Sequence, residues 1–201
     1  VVSAALARSV LQMDRRHYTY RFVFIPETIG SIAYLSKHLQ HLKRTVRAGW
    51  VLTCIGDERA YSFLPSRNGN TLADRVSKQM INESSNHFDC YSYLDRGSDE
   101  RQYCSPRVDL PVASLMRSKY GTYPEYHSSL DDLNLVTPAG LQGGLNMMKS
   151  VVKILENEKR WNSSTACEAQ LGKRGLYPSL STAESAKEVA GLVNVLAYCD
   201  G

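Results

Sequence analysis

At 201 residues, 43% apolar and 22% charged, the chain is long enough for one domain with a sizeable core, and its composition excludes a disordered or fibrous protein. A net charge of +4 is too small and too dispersed to point to nucleic acid, and no apolar run approaches the roughly 20 residues that a membrane span needs. Five cysteines, with no Cys-x-x-Cys pair and several in apolar runs, fit reduced, mostly buried thiols in the cytoplasm and predict no disulfide.

The first 13 residues have helical spacing, with Val2, Leu6, Val10 and Met13 on one face. Tyr18 to Ile25 alternates, is rich in β-formers and reads as a strand. Gly30 to about Val46 reads as a helix with Ile32, Leu35, Leu39 and Leu42 apolar; Lys43, Arg44 and Arg47 suit its C-terminal end. Trp50 to Ile55 is a near-continuous apolar run, the pattern of a strand buried on both faces, and Gly56-Asp57 ends it. Ala60 to Leu64 reads as a short strand. Thr71 caps a helix to about Asn82, His87 to Leu94 is a strand, and Asp95 to Asp109 is a long polar loop. Leu110 to Met116 is another strand, and Tyr120 to Val136 is a loop of unusual length. Thr137-Pro138 opens a long helix to about Trp161. Glu168 to Pro178 is irregular, and Thr182 to Tyr198 is the last helix.

Strands alternating with helices predict an α/β fold, a mostly parallel central sheet with helices on both faces. Ligands bind such sheets outside the carboxyl ends of the strands. Glu27, Asp57, Asp99 and His127 all follow predicted strands at that end. Both chain ends read as cut from a longer polypeptide. Residues 1–161 are expected to form the main domain and residues 162–201 a C-terminal extension.

The segment YPEYHSSLDDL, Tyr123 to Leu133, places His127 among hydroxyls and ahead of Asp131 and Asp132. A neutral imidazole is the commonest protein ligand for zinc, and a nearby carboxylate can orient its second nitrogen. A loop histidine alone is more often a surface residue. Glu27 follows Pro26, whose fixed φ stiffens the turn, and suits a general base taking a proton from water. In Gly97 to Arg101, Asp99 is a candidate to position substrate and Arg101 to clamp a substrate carboxylate; a local turn with a surface ion pair is the plainer reading. His38 and His41 stand i, i+3 on a helix, but no carboxylate accompanies them and Lys37, Lys43 and Arg44 repel a cation. His17 and His87 read as surface residues. Neither a Gly-x-Ser-x-Gly elbow nor a Gly-rich phosphate loop occurs. Asn162-Ser163-Ser164 matches a glycosylation acceptor but lacks a secretory context.

FIPETIGS, GSDERQYCSPRVDLPVASLMRSKYGTYPEYHSSLDDL and CEAQLGKRGLYPSLST together resemble the bacterial aminopeptidase-like family associated with polysaccharide biosynthesis. That family is a distant branch of the zinc aminopeptidases related to leucyl aminopeptidase and glutamate carboxypeptidase. The resemblance implies a three-layer α/β/α sandwich and hydrolysis of an amide bond by metal-activated water. Glu27 matches the general base and His127 the last zinc-binding histidine; Asp57 is the next acidic candidate for the metal, and Asp99 and Arg101 are substrate-side residues. Thr28 stands where the superfamily has a second Glu, and Thr53 and Cys54 where it has another acidic ligand. The first zinc-binding His and the bridging Asp would lie before Val1. Past Gly201 the family continues into a winged-helix-like segment.

The leading expectation is a zinc-dependent aminopeptidase-like hydrolase acting on a peptide-like or aminoacyl small molecule, with neither nucleic acid nor membrane as partner. The alternative is a non-catalytic binding or regulatory protein with a degenerate peptidase fold.

Overall fold

The computed structural model describes residues 1–158, 163–164, 167–168, 170–177 and 182–199, and the chain divides into two compact units, Val1–Asn157 and Glu158–Gly201. The expected helix end at Trp161, the 161/162 boundary, Asn162 and Pro178 lie outside the described residues.

In the first unit, β1 (Gly49–Val51), β2 (Ser62–Leu64), β3 (Asp89–Cys90) and β4 (Val112–Met116) form one sheet in the order β1-β4-β2-β3. β1 runs parallel to β4 and β2 parallel to β3, whereas β2 and β4 are antiparallel with Phe63 opposite Leu115. All five residues of β4 are buried, because helices cover both faces of the sheet. The period of two sends Ala113 and Leu115 one way and Val112 the other. On the first face, α1 (Val2–Leu11), α3 (Leu72–Glu83) and α5 (Pro138–Asn157) bury Leu6, Val10, Val76, Met80, Met147 and Val151 against Phe63, Ala113 and Leu115. On the second, Leu35 and Leu42 of α2 (Ile29–Thr45) and Cys104, just past α4 (Glu100–Tyr103), pack on Val112 and Leu110. Truncating fully buried Leu115 to Ala would cost about 2–5 kcal/mol.

α3 begins where the sequence places it. Thr71 and Asp74 make a reciprocal cap, and the fully buried Asp74 carboxylate also accepts from the Ser66 N–H at 2.7 Å and the Ser66 hydroxyl at 2.6 Å. Two expected strands shorten. The run from Trp50 leaves the ladder at Val51, and Cys54 turns the chain at φ 46°; of His87 to Leu94 only Asp89–Cys90 pairs.

The expected strand at Tyr18 to Ile25 is extended but joins no ladder among the described residues. Tyr18, Tyr20 and Phe22 rest on the core, and the Glu156 carboxylate of α5 accepts from the His17 N–H and the Tyr20 hydroxyl, both at 2.6 Å. Alternation reports one buried face, and an extended segment lying on a core has one without pairing. The five cysteines are free thiols, but only Cys104 is buried; Cys90 and Cys167 are exposed, which corrects the expectation of mostly buried thiols.

In the second unit, α6 (Ala183–Leu196) starts at a reciprocal cap between Thr182 and Ser185, and a single 3-10 turn, Gly172–Arg174, closes at Gly175 with φ 66°. Among the described residues, no helix is long and apolar enough to cross a membrane.

Candidate functional site

Glu27 stands on a strained tip. The Ile29 N–H donates to the Glu27 carbonyl at 2.7 Å across Thr28, whose φ of 61° and ψ of −70° make the rare form of γ-turn. A β-branched residue pays about 1–3 kcal/mol for such a backbone unless its neighbours hold it. Asp99 accepts from the Thr28 N–H at 2.7 Å, and Arg101 Nη2 donates to Thr28 Oγ1 at 3.1 Å. The two residues expected on the substrate side therefore brace the turn that carries the expected base. Ser98, almost fully buried, donates its hydroxyl to Glu27 Oε1 at 2.6 Å. Oε2 of this exposed side chain has no protein partner among the described residues.

The loop beneath that tip is organised by Glu100, a fully buried carboxylate in no ion pair among the described residues. Its Oε1 accepts from the Gly97 N–H at 2.8 Å, the Ser98 N–H at 3.0 Å and the Tyr120 hydroxyl at 2.7 Å, and Oε2 accepts from Ser114 of β4 at 3.1 Å. Burial, then the Glu100 bond and its charge, push the Tyr120 hydroxyl far above its ordinary value, so it stays a proton donor. Gly97 has no room for a side chain: an added Cβ would lie 2.7 Å from the Tyr120 ring. The sequence singles out Asp99 and Arg101 in this stretch and gives Glu100 no role. The usable signal was Gly97-x-x-Glu100, the three-residue reach-back of a carboxylate to backbone N–H groups.

Asp57 is buried in the loop after β1. Its oxygens accept from the Ser118 N–H at 2.9 Å, the Ser118 hydroxyl at 2.7 Å and the Arg59 N–H at 2.9 Å. Expected as a metal ligand, it ties the loop after β1 to the loop after β4. Nearby, the Tyr123 hydroxyl donates to Cys54 Sγ at 3.3 Å, and burial lifts the Cys54 thiol above its ordinary value.

His127 is exposed, takes φ 58° and stacks on Tyr126 with ring centroids 4.0 Å apart. Arg59 grips Glu125, two residues earlier, through bonds of 2.8 and 2.7 Å that hold its carboxyl down at about 2. The Tyr126 ring stacks on His127 and lies 6.4 Å from the Tyr120 ring, and burial is the first cause that raises its hydroxyl. Glu27, Asp99 and Arg101 are joined by hydrogen bonds through Thr28 and Ser98, His127 makes no hydrogen bond to them among the described residues, and Asp57 is bonded to Ser118 and Arg59.

Among the described residues, no group of three or more His, Cys, Asp or Glu side chains is gathered closely enough to hold a metal ion. With Asp57 engaged by three donors and Cys54 protonated, these residues do not by themselves fit zinc, for which three protein ligands are usual in a catalytic site.

A family model described as "Domain of unknown function (DUF4910)" matches residues 1–158, and a winged helix-turn-helix model matches residues 159–201. A relative from Clostridium acetobutylicum, named as a polysaccharide biosynthesis protein with an aminopeptidase-like domain, is 38% identical over 161 residues, which is 80% of this chain and 37% of the relative. A crystal structure from the same organism, described as a peptidase, superposes with a TM-score of 0.75 at 31% identity, covering 98% of this chain and 49% of that one. A zinc aminopeptidase from Bacillus subtilis has a TM-score of 0.64 at 16% identity, covering 79% of this chain and 41% of that one, a likeness of fold alone. The chain spans less than half the length of each of these three proteins.

Proposed function

We propose, since the chain belongs to the DUF4910 family and has an aminopeptidase-like fold, that it is the larger part of the core of an amide hydrolase. The substrate would be a peptide-like or aminoacyl small molecule. One observation carries this reading: Glu27 is exposed on a braced, strained tip with one oxygen fixed by Ser98 and the other open. That is the arrangement for a general base, which must be held in direction and still be able to take a proton from water. His127 would be this chain's donor to a zinc ion, with the other donors supplied by the remaining length of the protein. Zinc, when bound, polarises a carbonyl and makes water more acidic. The chain's own residues do the rest. Ser98 aims the base, Asp99 and Arg101 lock the turn beneath it, and the Arg59–Glu125 pair steadies the His127 loop.

The test uses the full-length protein. Glu27→Gln should lower hydrolysis of an aminoacyl anilide panel at least ~100-fold, with circular dichroism and metal content unchanged. His127→Ala should lose zinc by elemental analysis. The second reading, a binding protein on a degenerate peptidase fold, is favoured by Thr28, Thr53 and Cys54 at positions where the resemblance implies acidic ligands. A metal-free full-length protein inactive on every aminoacyl substrate would select it.

A further inference from the structure

The long polar loop after β3 borders a pocket of about 380 Å³, lined by Arg67, Tyr93, Arg96, Arg101, Gln102, Ser105 and Pro106. Three of these residues are arginines, and no carboxylate lines the pocket. Arginines that share a surface cavity repel one another, so such a cluster is unfavourable unless an anion joins it.

Among the described residues, one of the three arginines is ion-paired. Arg67 pairs with Asp109 through Nε and Nη2, both to one oxygen, at 3.1 and 2.9 Å, leaving Nη1 without a partner among the described residues. Arg96 lies over the Tyr93 ring, 4.8 Å from its centroid, and its side chain donates to the Tyr93 carbonyl at 3.4 Å. The Arg101 side chain donates to the Thr28 hydroxyl and is in no ion pair among the described residues. Two other carboxylates of the loop accept backbone hydrogen bonds, Asp95 from the Ser92 N–H at 2.9 Å and Asp99 from the Thr28 N–H at 2.7 Å. Burial raises the Tyr93 hydroxyl, Cys104 and Glu100 add to the rise, and Arg96 and Arg67 oppose it. Aromatic stacking presets the Arg96 plane, which reduces the rotamer freedom lost when an anion binds.

We propose that this pocket binds a phosphoryl or diphosphate group of a small molecule. A dianion matches several guanidinium charges better than a single carboxylate does, and a guanidinium with a free edge, such as that of Arg96, bonds phosphate oxygens in pairs. Its place in the protein follows from Arg101, which lines the pocket and also holds Thr28, the residue next to Glu27. If Glu27 is the base, the anionic end of the substrate sits here while its amide lies at the tip; that use of the pocket rests on the hydrolase reading, whereas the binding itself does not.

The experiment is isothermal titration of the full-length protein with sodium pyrophosphate, then orthophosphate and acetate, at 20 and 200 mM NaCl. Pyrophosphate should bind more tightly than orthophosphate, acetate should give no heat, and the higher salt should weaken binding several-fold. Arg96→Ala and Arg67→Ala should each weaken pyrophosphate at least tenfold, and Arg96→Lys should fall between wild type and Arg96→Ala because it keeps the charge and loses the fork. Arg96 is exposed, so its variants keep the fold; thermal melting checks this. Pyrophosphate binding unchanged in both alanine variants, or no binding at 5 mM and low salt, overturns the proposal. Glu27→Gln should leave pyrophosphate affinity intact, so loss of the hydrolase reading and loss of this one give different results.

Discussion

Arg59 and Glu125 face each other fork to fork, 66 positions apart, and so fasten the loop that carries His127 to the loop that carries Asp57. The Glu125 carboxyl is held below its ordinary 4.5, at about 2, first by the hydrogen bonds from Arg59. A carboxylate depressed in the folded state contributes stability that is fully present above its unfolded pKa and lost as pH falls through the folded one. Order in the His127 loop should therefore be constant above about pH 5 and decline between 4.5 and 2. Loop amide protection followed by NMR across that range checks it, and Glu125→Gln should show the loosened loop at pH 7.

Gly140 is the closest backbone approach in the fold: an added Cβ would lie 2.0 Å from the Gly56 carbonyl oxygen and 2.7 Å from that of Asp57. Backbone cannot step aside as a flexible side chain does. Gly140→Ala should destabilise by about 3 kcal/mol, the upper end for overpacking, and lower Tm by roughly 10 °C in a thermal melt. Gly191→Ala, which meets nothing within 4 Å, is the control.

Glu100→Gln tests the buried carboxylate. Gly97, Ser98 and Tyr120 all donate to one oxygen and Ser114 to the other. An amide must turn an NH₂ toward a donor, leaving at least one buried group unpaired. The expected loss is about 3 kcal/mol in urea unfolding, with Ser98 released from Glu27 as a secondary effect. Tyr120→Phe, which removes one donor of four, should cost about 1 kcal/mol.

Thr28→Gly relieves the γ-turn and Asp99→Ala unbraces it. In unfolding experiments the glycine variant should match or exceed wild-type stability, and the alanine variant should lose about 1–2 kcal/mol. In the hydrolase reading both should lower kcat more than they raise KM, since both let Glu27 wander.

Helices were legible because an apolar stripe has the same period whether or not its partner is known, and a cap such as Thr71–Asp74 lies within four residues. Strands were legible as buried faces but not as ladders: Tyr18 to Ile25 alternates, yet it lies on the core and joins no ladder among the described residues. Glu27, Asp99 and Arg101 were legible as one site through the resemblance, and their actual links run through Thr28 and Ser98. Glu100 escaped because burial of a charge depends on donors from distant positions, here Tyr120 and Ser114, which no local pattern reveals. Asp57 was placed at the right end of the sheet, but its occupation by Ser118 comes from a loop 61 positions away.

β4 lies between β1 and β2, bonded on both sides and buried along all five residues, while the His127 loop that follows is largely exposed. This sets two clocks in one short stretch of chain. Strand amides exchange with solvent only when the whole unit opens, and loop amides exchange through local openings that need far less free energy. A ligand at the tip should leave the slow clock almost unmoved and retard the fast one over residues 121–134, so a mass-resolved exchange map would read occupancy directly from one short stretch of chain.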